Sequence, residues 1–255
     1  MTDFLLIHGA GHGAWVWDGV WGILDNFLRG GTGLYHSMYS TGAVLAPDLP
    51  GHGGRFRRDD PTRVSLDGAV DELLARMETA GIRRPVIAVH DLSGHIALEL
   101  VRRMKELPRG LVFVGASVPD LFHTAMEMLP FPTRAAIAVM RLRRNTPPAS
   151  VRLHYALAHP LMCNDMPFSD CTTRVLGRLC PIPLRLFDAL PNPETLEPTC
   201  PITYAVLNRD RYLLPGAQRQ MAASFPQAKV VEMDYGHEAP VTHPQEVADL
   251  ILAYA

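Results

Sequence analysis

The sequence predicts an α/β fold: a mostly parallel, doubly wound sheet with a helical cap inserted late in the chain. Three observations predict it. Short apolar runs alternate with helical patterns, polar residues fall where successive apolar runs end, and the alternation breaks once, over residues 119–200, before it resumes. The apolar runs are continuous rather than alternating, which marks strands covered on both faces by helices.

The elements follow in order. FLLIH, Phe4 to His8, reads as the first strand and Trp15 to Leu28 as the first helix. GAVLAPD is the second strand, ending near Asp48. In SLDGAVDELLARMETAG, Ser65 offers an N-cap oxygen and Gly81 can take the positive φ of a helix C′ position. PVIAVH is the third strand, Ser93 to Glu106 the third helix and GLVFVGAS the fourth strand. Residues 119–200 are rich in proline, methionine and cysteine, with short helical stretches and no clear strand, and are read as a cap within one domain spanning 1–255. ITYAVLN, Pro215 to Ser224, KVVEMD and Pro244 to Ala253 then restore the strand–helix rhythm.

Composition narrows the function classes. A chain of 255 residues supports one sizeable core. It is 47% hydrophobic and 20% charged with a net charge of -2, so it lacks a strong field for nucleic acid or an anionic membrane. Arg55, Arg57 and Arg58, and Arg141, Arg143 and Arg144, read as solvated surface. No apolar run reaches the length of a membrane span, and no basic leader with a cleavage site precedes the first strand. The expectation is a cytoplasmic protein, monomer or homodimer, acting on a small-molecule organic substrate. Cys163, Cys171, Cys180 and Cys200 show no CxxC spacing and are expected to be reduced, buried thiols.

Ligands of open parallel sheets bind beyond the carboxyl ends of the strands. His8-Gly9-Ala10, Asp91, Asp210 and His237 all fall at such ends, in the chain order nucleophile, acid, histidine. VIAVHDLSGHIALEL places a tight turn between strand and helix, with Asp91 at its tip. A register with Ser93 at the tip would need two further turn residues and would put Asp91 and His95 where glycines usually allow close packing. A helix cap is the bland alternative for Asp91.

The residue type decides the chemistry. A carboxylate attacking an acyl carbon makes an anhydride, whereas attack on a saturated carbon makes an alkyl ester. Water activated by His237, itself oriented by Asp210, then cleaves that ester while backbone N–H groups of Ala10 and Leu92 hold the oxyanion. His12, Trp17, Phe122, Met126, Tyr155 and Met162 are the candidate pocket residues. Tyr155, with His123, His154 and His159 as competitors, is the candidate proton donor. Asp234 and Glu238 are expected to turn away from the site. No HExxH-like set and no GxGxxG loop occur, so neither a metal nor an organic cofactor is expected.

Several segments carry a resemblance. HGAGHGAWVW (His8 to Trp17), DLPGHG (Asp48 to Gly53), NRDRYLLP and YGHEAPVTHPQEVADLI resemble the plant methylesterase and hydroxynitrile lyase branch of the α/β-hydrolase superfamily. NDMPFSD and LGRLCPIPLRLF resemble its bacterial relatives. That branch usually carries serine at the nucleophile elbow. His90-Asp91 instead resembles the HD of haloalkane dehalogenases and epoxide hydrolases, with Leu92 replacing the tryptophan that helps hold a leaving halide. The resemblance implies an α/β-hydrolase fold and covalent hydrolase geometry and leaves the substrate class open. The chemistry of an aspartate nucleophile makes an epoxide the first substrate expectation, with dehalogenation its near competitor. The alternatives are a lyase, cyclase or isomerase of secondary metabolism using Asp91 and His237 as acid and base, a carboxylesterase-like enzyme, and a catalytically silent small-molecule-binding relative.

Overall fold

A computed structural model describes residues 2–30, 42–120, 122–141, 150–151, 155–192, 194 and 198–255. Six strands form the central sheet: β1 (Phe4–Ile7), β2 (Val44–Leu45), β3 (Val86–Asp91), β4 (Gly110–Ala116), β7 (Ile202–Leu207) and β8 (Lys229–Met233). Their spatial order is β2-β1-β3-β4-β7-β8, and every neighbouring pair is parallel. The chain runs outward from β1 to β2, then returns to the other side of β1. The strand order therefore reverses between β1 and β3, which is where open sheets of this kind bind ligands.

The two faces of the sheet explain the continuous apolar runs. Leu5, Ile7, Ile87, Val89, Leu111 and Phe113 face one core, with α2 (Leu66–Thr79), α3 (Gly94–Arg103) and α8 (Pro215–Ala223) over it. Phe4, Leu6, Val86, Ala88, Val112 and Val114 face the other, beneath α1 (Asp18–Leu28) and α10 (Pro244–Leu252). Alternate residues of one strand thus serve opposite layers, and both layers exclude water. The edge strand β8 departs from this pattern with Lys229 and Glu232 exposed, charges that discourage pairing with another chain. Ser65 caps α2 by accepting the Gly68 N–H at 3.2 Å, and Gly81 follows the helix at φ 71°.

Between β4 and β7 lie α4 (Phe131–Arg141), β5 (Ser150–Val151), α5 (Tyr155–Met162), α6 (Phe168–Cys171), a π-helical turn (Thr172–Leu176), β6 (Ile182–Pro183) and α7 (Leu184–Phe187). This corrects the expectation of a strand-free segment, because β5 and β6 form an antiparallel pair. Strands of two residues are too short to show a period in the sequence; tertiary contact creates them. The Cys180 N–H donates to Gly11 O at 2.8 Å, tying this part of the segment to the loop after β1.

The cysteine expectation is also corrected. Cys163 and Cys171 form a disulfide, while Cys180 and Cys200 are buried thiols. The turn between α5 and α6 brings the paired residues to a Cα separation of 5.9 Å, a juxtaposition that spacing alone does not reveal. No helix among the described residues is long and apolar enough to cross a membrane.

Candidate active site

The strand-to-helix turn after β3 is the strained point of the backbone. Asp91 has φ 57° and is the single non-glycine residue with positive φ among the described residues. L-residues avoid this region because Cβ approaches the carbonyl oxygen. The β3–β4 ladder shifts here: His90 pairs with Val114, but Asp91 pairs with Ala116, skipping Gly115. Two glycines make room for the turn. A Cβ at Gly9 would collide with the Asp91 side chain, and one at Gly94 would collide with Ser117 O. Ser93 does not occupy the tip. It is buried, and its hydroxyl donates to His8 O at 2.6 Å.

The turn divides the two oxygens of Asp91 between different surroundings. Oδ2 accepts the Ala10 N–H at 2.7 Å, and the Leu92 N–H also hydrogen-bonds this carboxylate. Oδ1 has no hydrogen-bond partner and lies 3.7 Å from His237 Nε2, which has none either. On the far side of the ring, Nδ1–H of His237 donates to Asp210 Oδ2 at 2.8 Å. Asp210 is held in turn. Its Oδ1 accepts the N–H groups of Tyr212 and Leu213 at 2.8 and 2.9 Å, and Oδ2 accepts from Gln218 Nε2 at 2.9 Å. Residues between α5 and α6 reach both loops that carry this pair: Asn164 Nδ2 donates to Arg209 O at 3.0 Å, and the Gly236 N–H donates to Asp165 Oδ2 at 2.7 Å.

Further polar groups crowd the same place. His12 lies with Nε2 3.1 Å from Glu238 Oε1 and Nδ1 3.1 Å from Ala10 O, and that Nδ1 is 3.8 Å from Asp91 Oδ2. His90 donates from Nδ1 to Val114 O at 2.8 Å, leaving Nε2 without a partner. The Tyr212 ring lies 4.8 Å from the His237 ring, and its hydroxyl is buried without a partner. Buried polar atoms in folded proteins are nearly always paired. A concentration of unpaired ones around one carboxylate is the mark of a site with work outside the fold's own stability.

Charge follows from these contacts. Burial pushes the Asp91 carboxyl up, opposed by His237, His12 and the two N–H donors. Burial pulls His237 down, but the Asp210 carboxylate, through charge and hydrogen bond, with Asp91 and Glu238, overcomes it and pushes the imidazole up to about 9. His12 is likewise raised against its burial by Glu238 and Asp91. His90 is held well below its ordinary value by burial and by neighbouring imidazoles. His8, lowered by burial to about 3, is neutral and accepts the Leu49 N–H on Nε2 at 2.9 Å.

The structure brings Asp91, His237, Asp210, Ala10, Leu92 and His12 together. The other expected residues are dispersed. Trp17 is a core residue under the sheet, touching the site only edge-on through His90 at 6.3 Å between rings. Met126 and Met162 are buried in the opposite core. Phe122 is 82% exposed and is a surface residue, which corrects its place among pocket residues: the chain around it, after β4, runs over the outside. The side chain of Tyr155, and all of His154, lie outside the described residues. Glu238 is a second correction. It does not turn away but faces His12, because the chain bends into α9 (Ala239–Thr242) directly after it. Asp234 is exposed and pairs with Arg209. His12, His90 and Glu238 also form a compact group of metal-ligating types, with ligand atoms within 4.8 Å of one another.

Residues 4–250 match the Alpha/beta hydrolase family, nearly the whole chain. The chain belongs to that family. It thus has the α/β-hydrolase fold, and its solved neighbours have the same architecture. An extracellular alpha/beta-hydrolase from a Paenibacillus species, described as sharing structural and functional homology with tobacco salicylic acid binding protein 2, superposes with TM-score 0.83 at 16% identity, covering 100% of this chain and 99% of that one. A methylesterase from Arabidopsis gives 0.74 at 19% identity, covering 99% and 98%. A pyrethroid hydrolase from Sphingobium faniae gives 0.74 at 22%, covering 99% and 96%. Among curated sequences, an uncharacterized protein of Mycobacterium tuberculosis is 26% identical over 192 residues, 74% of this chain and 48% of the relative. The chain spans about half the length of the curated relatives it matches.

Proposed function

We propose that this α/β hydrolase works through a covalent alkyl ester on Asp91, with an epoxide as its first substrate class. One observation carries the reading. Oδ1 of Asp91 is unpaired and faces the unpaired Nε2 of His237, while Oδ2 already accepts the Ala10 N–H and the Leu92 N–H bonds the same carboxylate. A nucleophilic oxygen needs a free lone pair, and the other oxygen needs to be where negative charge later develops.

In this scheme Oδ1 attacks a saturated carbon. The carbon–oxygen bond of the epoxide breaks, and its electron pair stays on the epoxide oxygen, which takes a proton from the His237 imidazolium. Alkylation removes the Asp91 charge that helped to raise His237, so the ring is now a neutral base. It takes a proton from water, and the hydroxide adds to Cγ with the charge passing to Oδ2. Collapse breaks the Cγ–Oδ1 bond, and the departing alkoxide is protonated by His237. Oδ1 leaves in the product, and the water oxygen stays in Asp91. The new carboxylic acid returns its proton to His237, restoring the starting ion pair.

Solved neighbours named as a methylesterase and a pyrethroid hydrolase favour a carboxylic ester as the second substrate class. Single-turnover reaction in ¹⁸O-labelled water, with styrene oxide, a haloalkane and a carboxylic ester as probes, tests the proposal. Mass analysis of the Asp91 peptide is expected to show label after turnover, and His237→Gln is expected to accumulate the alkylated peptide with the haloalkane, whose halide leaves without needing a proton. Product formation with no label in Asp91 overturns the covalent route and favours acid–base chemistry.

A further inference from the structure

We infer that His12 and Glu238 form a second imidazole–carboxylate pair of this site, with His12 a standing cation beside Oδ2 of Asp91. Its catalytic consequence rests on the Asp91 reading above; its charge state does not. The geometry is an alternating row. Asp210, His237, Asp91, His12 and Glu238 follow one another at 2.8, 3.7, 3.8 and 3.1 Å, all fully buried or nearly so. His237 serves one oxygen of the central carboxylate and His12 stands on the other.

The protonation of His12 follows from its partners. Nδ1 faces Ala10 O and Nε2 faces Glu238 Oε1, both at 3.1 Å; the carbonyl oxygen is an acceptor, and the carboxylate oxygen is one when Glu238 is ionised. A neutral imidazole carries one N–H, so only the imidazolium donates to both. Glu238 requires the same answer from its own side. It is fully buried, so its ionised form needs a cationic partner, and His12 is the side chain hydrogen-bonded to it. Among the described residues, His12 is the side chain that hydrogen-bonds Glu238, and His237 acts on it only through charge at longer range. Trp15 covers the His12 ring at 5.4 Å, and His90 meets it edge-on at 5.7 Å while kept neutral by burial. His237 lies 6.4 Å from His12 between ring centres and is committed to Asp210 and Asp91.

The pair has a definite task. During ester hydrolysis the charge gathers on Oδ2, the oxygen nearest His12, whereas His237 works from the side of Oδ1. His12 acts through Asp91 and is a positioning residue rather than a group that handles substrate. Its loss should lengthen the life of the alkyl ester more than it slows alkylation.

The test uses the full chain with ¹⁵N-labelled histidine. Long-range ¹H–¹⁵N spectra at pH 7.5, with His12 assigned by His12→Asn, are expected to show both nitrogens protonated in the wild type, one in Glu238→Gln, and both again in Glu238→Asp. A neutral His12 in the wild type overturns the inference. Circular dichroism and thermal melting establish that the variants are folded. In single turnover with styrene oxide, Glu238→Gln is expected to lengthen the lifetime of the alkyl-Asp91 peptide at least tenfold while changing its rate of formation less. An unchanged lifetime beside a cationic His12 overturns the catalytic half. If the wild type takes no label into Asp91, the covalent reading fails, and the pair is judged by the pH midpoint of the Leu92 amide shift. That midpoint is expected to rise in Glu238→Gln as Asp91 loses a neighbouring cation; an unmoved midpoint counts against the pair.

Discussion

Replacing Asp210 by asparagine tests the electrostatic account at its strongest link. The substitution keeps the size of the side chain but removes the carboxylate 2.8 Å from His237 Nδ1. Raising a buried imidazole from 6.5 to about 9 corresponds to about 3 kcal/mol of folded-state preference for the charged ring. Against the downward pull of burial, Asp210 is the largest upward cause. The sign follows from linkage. A group whose folded value lies above its unfolded value adds stability in full below pH 6.5, and that stability fades as the pH rises to about 9. Asp210→Asn should therefore cost about 2–3 kcal/mol more at pH 6 than at pH 9.5. Hydrogen bonds from Gln218 and the Tyr212 and Leu213 amides are weakened at both pH values and cancel in that difference. Urea unfolding of both proteins at the two pH values measures it. Equal destabilisation at pH 6 and 9.5, or greater loss at the alkaline value, refutes the argument.

Two further predictions concern the turn and the segment above it. Ser93→Ala removes the 2.6 Å hydrogen bond to His8 O and should lower stability by about 1 kcal/mol while leaving turnover largely intact; loss of all activity in a folded variant would make Ser93 the nucleophile. Reducing the Cys163–Cys171 bond releases a short loop and should cost about 2–3 kcal/mol, read as a lower melting temperature in reductant. The Cys163→Ser/Cys171→Ser variant should melt at the reduced value with or without reductant, and an unshifted wild type contradicts the bond.

The fold was legible because each strand of the sheet is buried on both faces, so its residues had to be apolar without interruption, and because turns and caps such as Ser65 and Gly81 bound the helices. The junction at Asp91 was legible for the same reason: a strand must end before a helix begins. Contacts between distant stretches left no comparable trace. Glu238 has the local look of a turn residue, and nothing in its neighbours points toward His12, which lies 226 positions earlier. Phe122 looked like a pocket residue by type, but position on the surface is decided by the path of the chain and not by hydrophobicity. The disulfide and the short β5–β6 pair are likewise products of tertiary approach.

The tie between Asp165 and the Gly236 amide has a consequence for how substrate enters. Asp91 and His237 expose no surface, so a small organic molecule reaches them only when packed groups part. The stretch bearing Asn164 and Asp165 touches both the acid loop and the histidine loop. If that stretch swings outward, it lets go of the backbone that aims His237 at the same moment that it clears a path. Admission and readiness would then be opposite phases of one motion: open, the enzyme is slack; shut, it is primed. Such an enzyme would keep bulk water from a half-assembled site, and its turnover would be paced by reclosure as much as by chemistry.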